Sequence, residues 1–174
     1  MGILGRLIGS FRALRAHRLD IALVTPSLML GAAPASARLS QLAKRRVSAA
    51  VDLRTSEERS TDAGWDAAAT RAGIDVLRLP TPDESTPSPE ALAQGTEWLL
   101  QCLAQDRIVL VCCRAGARRS VTFATATLIA MGYPLPEAFR LVAKARSVAN
   151  PSDVQLEALR QFAETRATKK PPSP

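Results

Sequence analysis

Histidine is almost missing from this chain: His17 stands alone, far in sequence from the three cysteines Cys102, Cys112 and Cys113. A zinc site built from Cys and His needs those ligands at short, paired spacings, so no metal centre is expected. An odd number of cysteines, two of them adjacent, is also a poor basis for a disulfide framework, and a reducing, cytoplasmic setting fits them best. No apolar run approaches the roughly 20 residues of a spanning helix, so the chain is not expected to cross a membrane. Aromatic residues are only 4% of the sequence, too few to suggest a surface that stacks nucleobases. With 47% apolar residues in 174, one globular domain is the default.

Charge is unevenly placed. Residues 1–46 hold eight Lys or Arg against Asp20 alone, which accounts for the whole net charge of +7; beyond them basic and acidic residues cancel. Within the first 19 residues, Ile3, Leu4, Leu7, Ile8, Phe11 and Leu14 recur at helical spacing, with Arg6, Arg12, Arg15 and Arg18 elsewhere on the wheel. A basic amphipathic helix is expected over 1–20. Three roles are open to it: lying on an anionic membrane surface, acting as an organellar targeting segment, or docking its apolar stripe on the domain. Arginines interrupt the run too often for a secretory signal. The start Met-Gly-Ile-Leu-Gly-Arg lacks the Ser or Thr of a myristoylation signal.

From there short apolar runs alternate with amphipathic stretches, the pattern of an α/β domain with a mostly parallel sheet flanked by helices. Strands are expected at 28–31, 47–53, 74–79 and 107–112. Helices are expected at 37–45, 57–72, 89–104, 119–131, 135–145 and 151–167. Ser88 before Pro89 is a good helix cap with proline at the first helical position, and Asn150 before Pro151 repeats the arrangement. Four prolines in 80–89 mark a surface loop. Residues 21–167 thus read as one folded domain, and 168–174 as a disordered tail.

Between the strand ending near Val111 and the helix starting near Ser120 lies Cys113-Arg114-Ala115-Gly116-Ala117-Arg118-Arg119-Ser120. Gly116 lets the backbone bend with its amides turned inward, and inward amides at a helix N-terminus hold a phosphate dianion. Arg119, six residues after Cys113, can offer a bidentate guanidinium to two phosphate oxygens. The helix end and the arginines also favour a thiolate at Cys113. Ser120 is placed to hydrogen-bond that sulfur. A Cys with Arg at the sixth place is weak in so arginine-rich a chain; Gly, Ser and the strand-to-helix context make it specific. A phosphate monoester needs its leaving oxygen protonated, and Asp83 in the proline-rich loop is the leading candidate, with Glu84 its rival.

On these residues the chain resembles the cysteine-based phosphatases of the dual-specificity type. The resemblance runs through Leu-Met-Leu-Gly (28–31), Ala-Val-Asp-Leu-Arg (50–54), Pro-Thr-Pro-Asp (80–83), the 113–120 loop and Asn-Pro-Ser-Asp-Val-Gln-Leu (150–156). It implies Cys113 as nucleophile, Arg119 as phosphate ligand, Ser120 as thiolate partner and Asp83 as general acid. It also implies no metal and no cofactor. Arg114, Ala115, Gly116, Ala117 and Arg118 complete the expected substrate-binding loop.

One departure from the family pattern stands out. Cys112 takes the place of the histidine that usually precedes the nucleophile, which leaves open a pseudophosphatase that binds phosphorylated partners without cleaving them. It also offers a second thiol for trapping an oxidised Cys113. Arg114 and Arg118 exceed the obligatory Arg119 and lean towards phosphoinositide or phospholipid head groups, as does the basic N-terminal segment. The alternative for both arginines is to point into solvent or to pair with acids such as Glu57 or Glu58. Phosphoproteins are close competitors as substrates, and RNA 5′-triphosphate is less favoured.

Overall fold

The computed structural model describes residues 19–169. The helix expected over 1–20 lies outside them except for Leu19 and Asp20, which are not helical. Five strands, β1 (Ile21–Thr25), β2 (Leu28–Ala32), β3 (Val47–Asp52), β4 (Asp75–Arg78) and β5 (Ile108–Cys113), form one sheet in the order β1-β2-β5-β3-β4. β1 and β2 pair antiparallel, and the other pairings are parallel. The expected mostly parallel sheet is therefore present, with β1 added. That strand escaped the sequence reading because it is an edge strand, only half-buried along its length, with no alternation to betray it.

Helices cover both faces, as parallel strands require. On one side α1 (Leu39–Lys44) and α3 (Trp65–Arg71) close a core around Leu39, Leu42, Trp65 and Leu110. On the other, α4 (Pro89–Ala104), α5 (Arg119–Ala130), α6 (Leu135–Ala145) and α7 (Asp153–Lys169) pack over Leu28, Leu30, Val51 and Val111. α5 is central, and every residue from Arg119 to Ile129 is buried. Its threonines are tolerated there because Thr122, Thr125 and Thr127 each donate to the carbonyl four residues back, at 2.8 to 3.0 Å.

Two expected helices are corrected. The stretch 57–72 breaks into α2 (Ser56–Ser60) and α3, separated by Thr61-Asp62-Ala63-Gly64. The Asp62 carboxylate accepts the Ser36 amide at 2.7 Å, tying that turn to the loop after β2. The last helix starts at Asp153, and its cap is Ser152 rather than Asn150. Ser152 and Gln155 exchange hydrogen bonds, amide to side chain in both directions, at 2.9 and 3.4 Å. The same helix runs to Lys169, two residues into the stretch expected as a tail, and 170–174 lie outside the described residues.

Parallel packing brings the C-terminal ends of β2, β3 and β5 to one edge of the sheet, where α/β folds place their ligand sites. The amide of Ala33 donates to Cys113 O at 2.8 Å, and that of Leu53 to Cys112 O at 2.9 Å. Both extend the ladder to the point where the chain leaves β5.

Candidate active site

The loop that follows β5 curls around its own first side chain. Gly116 N–H donates to Cys113 Sγ at 3.2 Å, and Ser120 Oγ lies 3.4 Å from the same sulfur. Cys113 is buried, at the floor of a cleft of about 360 Å³ that Asp83, Ala115, Ala117, Arg118, Arg119, Val148 and Asn150 also line. Gly116 has φ +68°, and a Cβ there would lie 2.4 Å from both Ala32 N and Gly31 C. Only glycine fits, both for the left-handed backbone and for the close approach to β2.

Arg119 is held from behind. Its Nη1 donates to Glu58 Oε2 at 2.7 Å and to Thr81 O at 2.9 Å, and its Nη2 donates to Glu58 Oε1 at 2.9 Å. Nε is buried with no hydrogen-bond partner, and Asp83 Oδ1 lies 3.5 Å from it. A buried, unsatisfied guanidinium nitrogen beside the thiol is costly unless an anion completes it, so the arrangement fits an oxyanion in the cleft. Glu58 also accepts the Thr55 amide in a capping box, and the Arg119 hydrogen bonds, aided by that amide, hold its carboxyl below the usual range.

The sequence reading missed two supports. Arg146, at the end of α6, donates through Nε to Gly116 O at 3.0 Å and through Nη2 to Ala115 O at 3.2 Å. Its other contact is Asp20, whose Oδ2 accepts Nη2 at 2.9 Å, and this pairing draws the Asp20 carboxyl below its ordinary value. Gln155 and Ser152 are the second support. They donate to Ser85 O and Glu84 O, each at 2.8 Å, and so fix the acidic loop to α7, while the Asn150 amide donates to Ala117 O. The Asn-Pro-Ser-Asp-Val-Gln-Leu stretch is visible in the sequence as a motif without a role.

The two extra arginines do not behave alike. Arg114 is exposed and lies in a second pocket beside Arg54, Glu58 and Asp62, on a different wall from the Cys113 cleft. Arg118 pairs with Glu84 at 2.5 Å and approaches Asp83 at 3.7 Å. The acids expected as possible partners, Glu57 and Glu58, are not its partners; Glu58 belongs to Arg119.

Cys112 faces away from Cys113. Successive strand residues face opposite sides of a sheet, and Cys112 packs in the core with Leu110 and Trp65 while Cys113 packs in the other. Burial pushes the Cys112 thiol well above its usual value, with the nearby Asp52 carboxylate adding to the effect. The suggestion that it traps an oxidised Cys113 is set aside: the two sulfurs lie on opposite faces, and this one stays protonated.

A parallel-sheet domain with a cysteine at the floor of a strand-to-helix loop, and an arginine closing that loop, defines the tyrosine-phosphatase class of fold. Residues 26–133 match the family model described as "Polymorphic toxin system, DSP-PTPase phosphatase". The chain is 32% identical over 151 residues to human phosphatidylglycerophosphatase and protein-tyrosine phosphatase 1, covering 85% of this chain and 75% of that protein. The match to the mouse protein of the same name, 37% identical over 94 residues, spans 49% of its length. The fold superposes on the crystal structure of PTPMT1 in complex with PI(5)P with a TM-score of 0.80 and 25% identity, covering 87% of this chain and 99% of that one. Tk-PTP in the active form gives a TM-score of 0.74 and 28% identity, covering 83% and 97%. The chain belongs to the DSP-PTPase family of cysteine-dependent phosphatases.

Proposed function

We propose that the cleft hydrolyses phosphate monoesters through a phosphocysteine, with a phosphorylated phospholipid head group as the substrate. The observation that carries this reading is the convergence of Cys113, Arg119 and Asp83 on one cleft, with Arg119 Nε buried and without a hydrogen bond. The substrate phosphate takes over Arg119 Nε from the Asp83 carboxylate and accepts the loop amides. Cys113 attacks phosphorus in line; a sulfur–phosphorus bond forms as the bond to the leaving oxygen breaks, and Asp83 in its acid form gives that oxygen its proton. Water then attacks the phosphocysteine with Asp83 as base, phosphate leaves, and the hydrogen bond from Ser120 eases the return of the thiolate.

Three points favour a lipid head group. Arg114 presents an exposed guanidinium beside the loop, the 1–46 segment carries the chain's excess positive charge, and the human relative's name includes phosphatidylglycerophosphatase. That name also includes protein-tyrosine phosphatase, which favours phosphotyrosine as a second reading. Release of phosphate from an aryl phosphate, lost in Cys113→Ser and slowed in Asp83→Ala, tests the chemistry, and no release from the wild type would leave a binding module. A higher kcat/KM for phosphopeptides than for soluble phosphoinositides would overturn the lipid assignment.

A further inference from the structure

We propose that Arg118 is a positioning residue: paired with Glu84, its guanidinium holds the acidic loop so that Asp83 faces the thiol. The inference rests on the reading of Asp83 as general acid. Among the described residues the Asp83 carboxylate accepts no hydrogen bond; it lies 3.5 Å from Arg119 Nε and 3.7 Å from Arg118 Nη1, and it is more than half exposed. Its aim therefore comes from the loop that carries it. That loop turns sharply after Asp83, because Glu84 has φ +63°, a left-handed backbone that an L-residue such as Glu enters only when its surroundings insist.

The surroundings act from two sides. From beneath, Ser152 Oγ donates to Glu84 O and the fully buried Gln155 donates to Ser85 O, each at 2.8 Å. From the cleft side the Glu84 side chain meets Arg118 Nη1 at 2.5 Å. Arg118 sits between the phosphate loop and helix α5 and directly precedes Arg119. One guanidinium thus joins the element that binds phosphate to the element that protonates the leaving oxygen. With Glu84 occupying Nη1, the guanidinium is turned towards the acidic loop, which is why an arginine at this place need not signal a polyanionic substrate.

A displaced general acid leaves a signature that a lost substrate contact does not. A leaving oxygen that is stable as an anion at the working pH departs without a proton, whereas an alkyl oxygen requires one. The measurement is kcat/KM, which reports all steps through formation of the phosphocysteine, for a soluble alkyl phosphomonoester and for an activated fluorinated aryl phosphate. A partly exposed ion pair of this kind is worth up to about fivefold, so Arg118→Ala should lower kcat/KM about two- to fivefold more on the alkyl ester than on the aryl ester. Glu84→Gln should give the same split, the double variant should be no worse than either, and Arg118→Lys should recover part of the loss. Asp83→Ala run alongside must show the split more strongly. If it does not, the general-acid reading fails independently of Arg118. If Asp83→Ala shows the split but Arg118→Ala lowers both substrates equally, or neither, the positioning role is overturned.

Discussion

Glu58 grips both terminal nitrogens of Arg119, at 2.7 and 2.9 Å, and leaves Nε as the one nitrogen of that guanidinium without a hydrogen bond. An arginine free to rotate would present its fork in many ways. Here one edge of the fork is spent on protein, so the remaining N–H is aimed before any ligand arrives.

Removing the grip should cost activity in proportion to a charge-assisted hydrogen-bond pair, about 1.5 to 3 kcal/mol, or roughly ten- to a hundredfold in kcat/KM for Glu58→Ala. Steady-state kinetics on an aryl phosphate measures it. A loss below about threefold would show that Arg119 keeps its aim without Glu58.

The same pair makes stability depend on acid. The Glu58 carboxyl is held below its ordinary 4.5 chiefly by hydrogen bonds from Arg119, so the unfolded chain binds its proton more readily than the folded one. Stabilisation is thus complete above pH about 4.5 and is lost as pH falls through the lower folded value. Urea midpoints measured from pH 6 downward should fall less steeply for Glu58→Gln than for the wild type.

Gly116→Ala should disable the loop. Its Cβ would lie 2.4 Å from two backbone atoms of β2 and 2.8 Å from Arg146 Nη2, and φ +68° would be strained as well. We expect a loss of at least about 2 kcal/mol in stability and more than tenfold in kcat/KM, because the backbone at the thiol has to move. Thermal melts and aryl phosphate turnover report the two effects separately.

Cys112 should be silent where Cys113 is not. With its thiol buried and held protonated, iodoacetamide at pH 7.5 should label Cys113 and spare Cys112, as mass spectrometry of the peptide fragments would show. Cys112→Ala should keep kcat/KM within about threefold and lower stability by about 1 kcal/mol, the loss of one small buried group. A large drop in turnover would mean that the residue before the nucleophile acts across the sheet after all.

Much of this architecture was legible in the sequence because it obeys local rules. α4 and α6 were read with their observed bounds, since Ser88-Pro89 and Pro134 punctuate them sharply. Cys113, Arg119 and Ser120 are close in sequence and so close in space. Asp83 was reached by chemistry rather than by spacing, and the structure brings it to the same cleft. What was not legible depends on pairings across long separations. Arg146 reaches Asp20 over 126 positions and Glu58 reaches Arg119 over 61, and neither end carries a pattern that names the other. Glu58 had been considered only as a possible partner for Arg114 or Arg118. The Cys112 position misled for a different reason: its neighbour in sequence suggested proximity, but the pleat of a strand separates adjacent side chains.

The Arg146 buttress has a consequence for how the enzyme comes into being. A nascent chain that has folded only as far as residue 145 already contains Cys113, Arg119, Ser120 and Asp83, yet Ala115 and Gly116 have nothing behind their carbonyls. The hydrogen bonds that set the acidic loop come later still, at Ser152 and Gln155. A chain ending before residue 146 would therefore carry the whole 113–120 signature without the hydrogen bonds that hold Ala115, Gly116, Glu84 and Ser85.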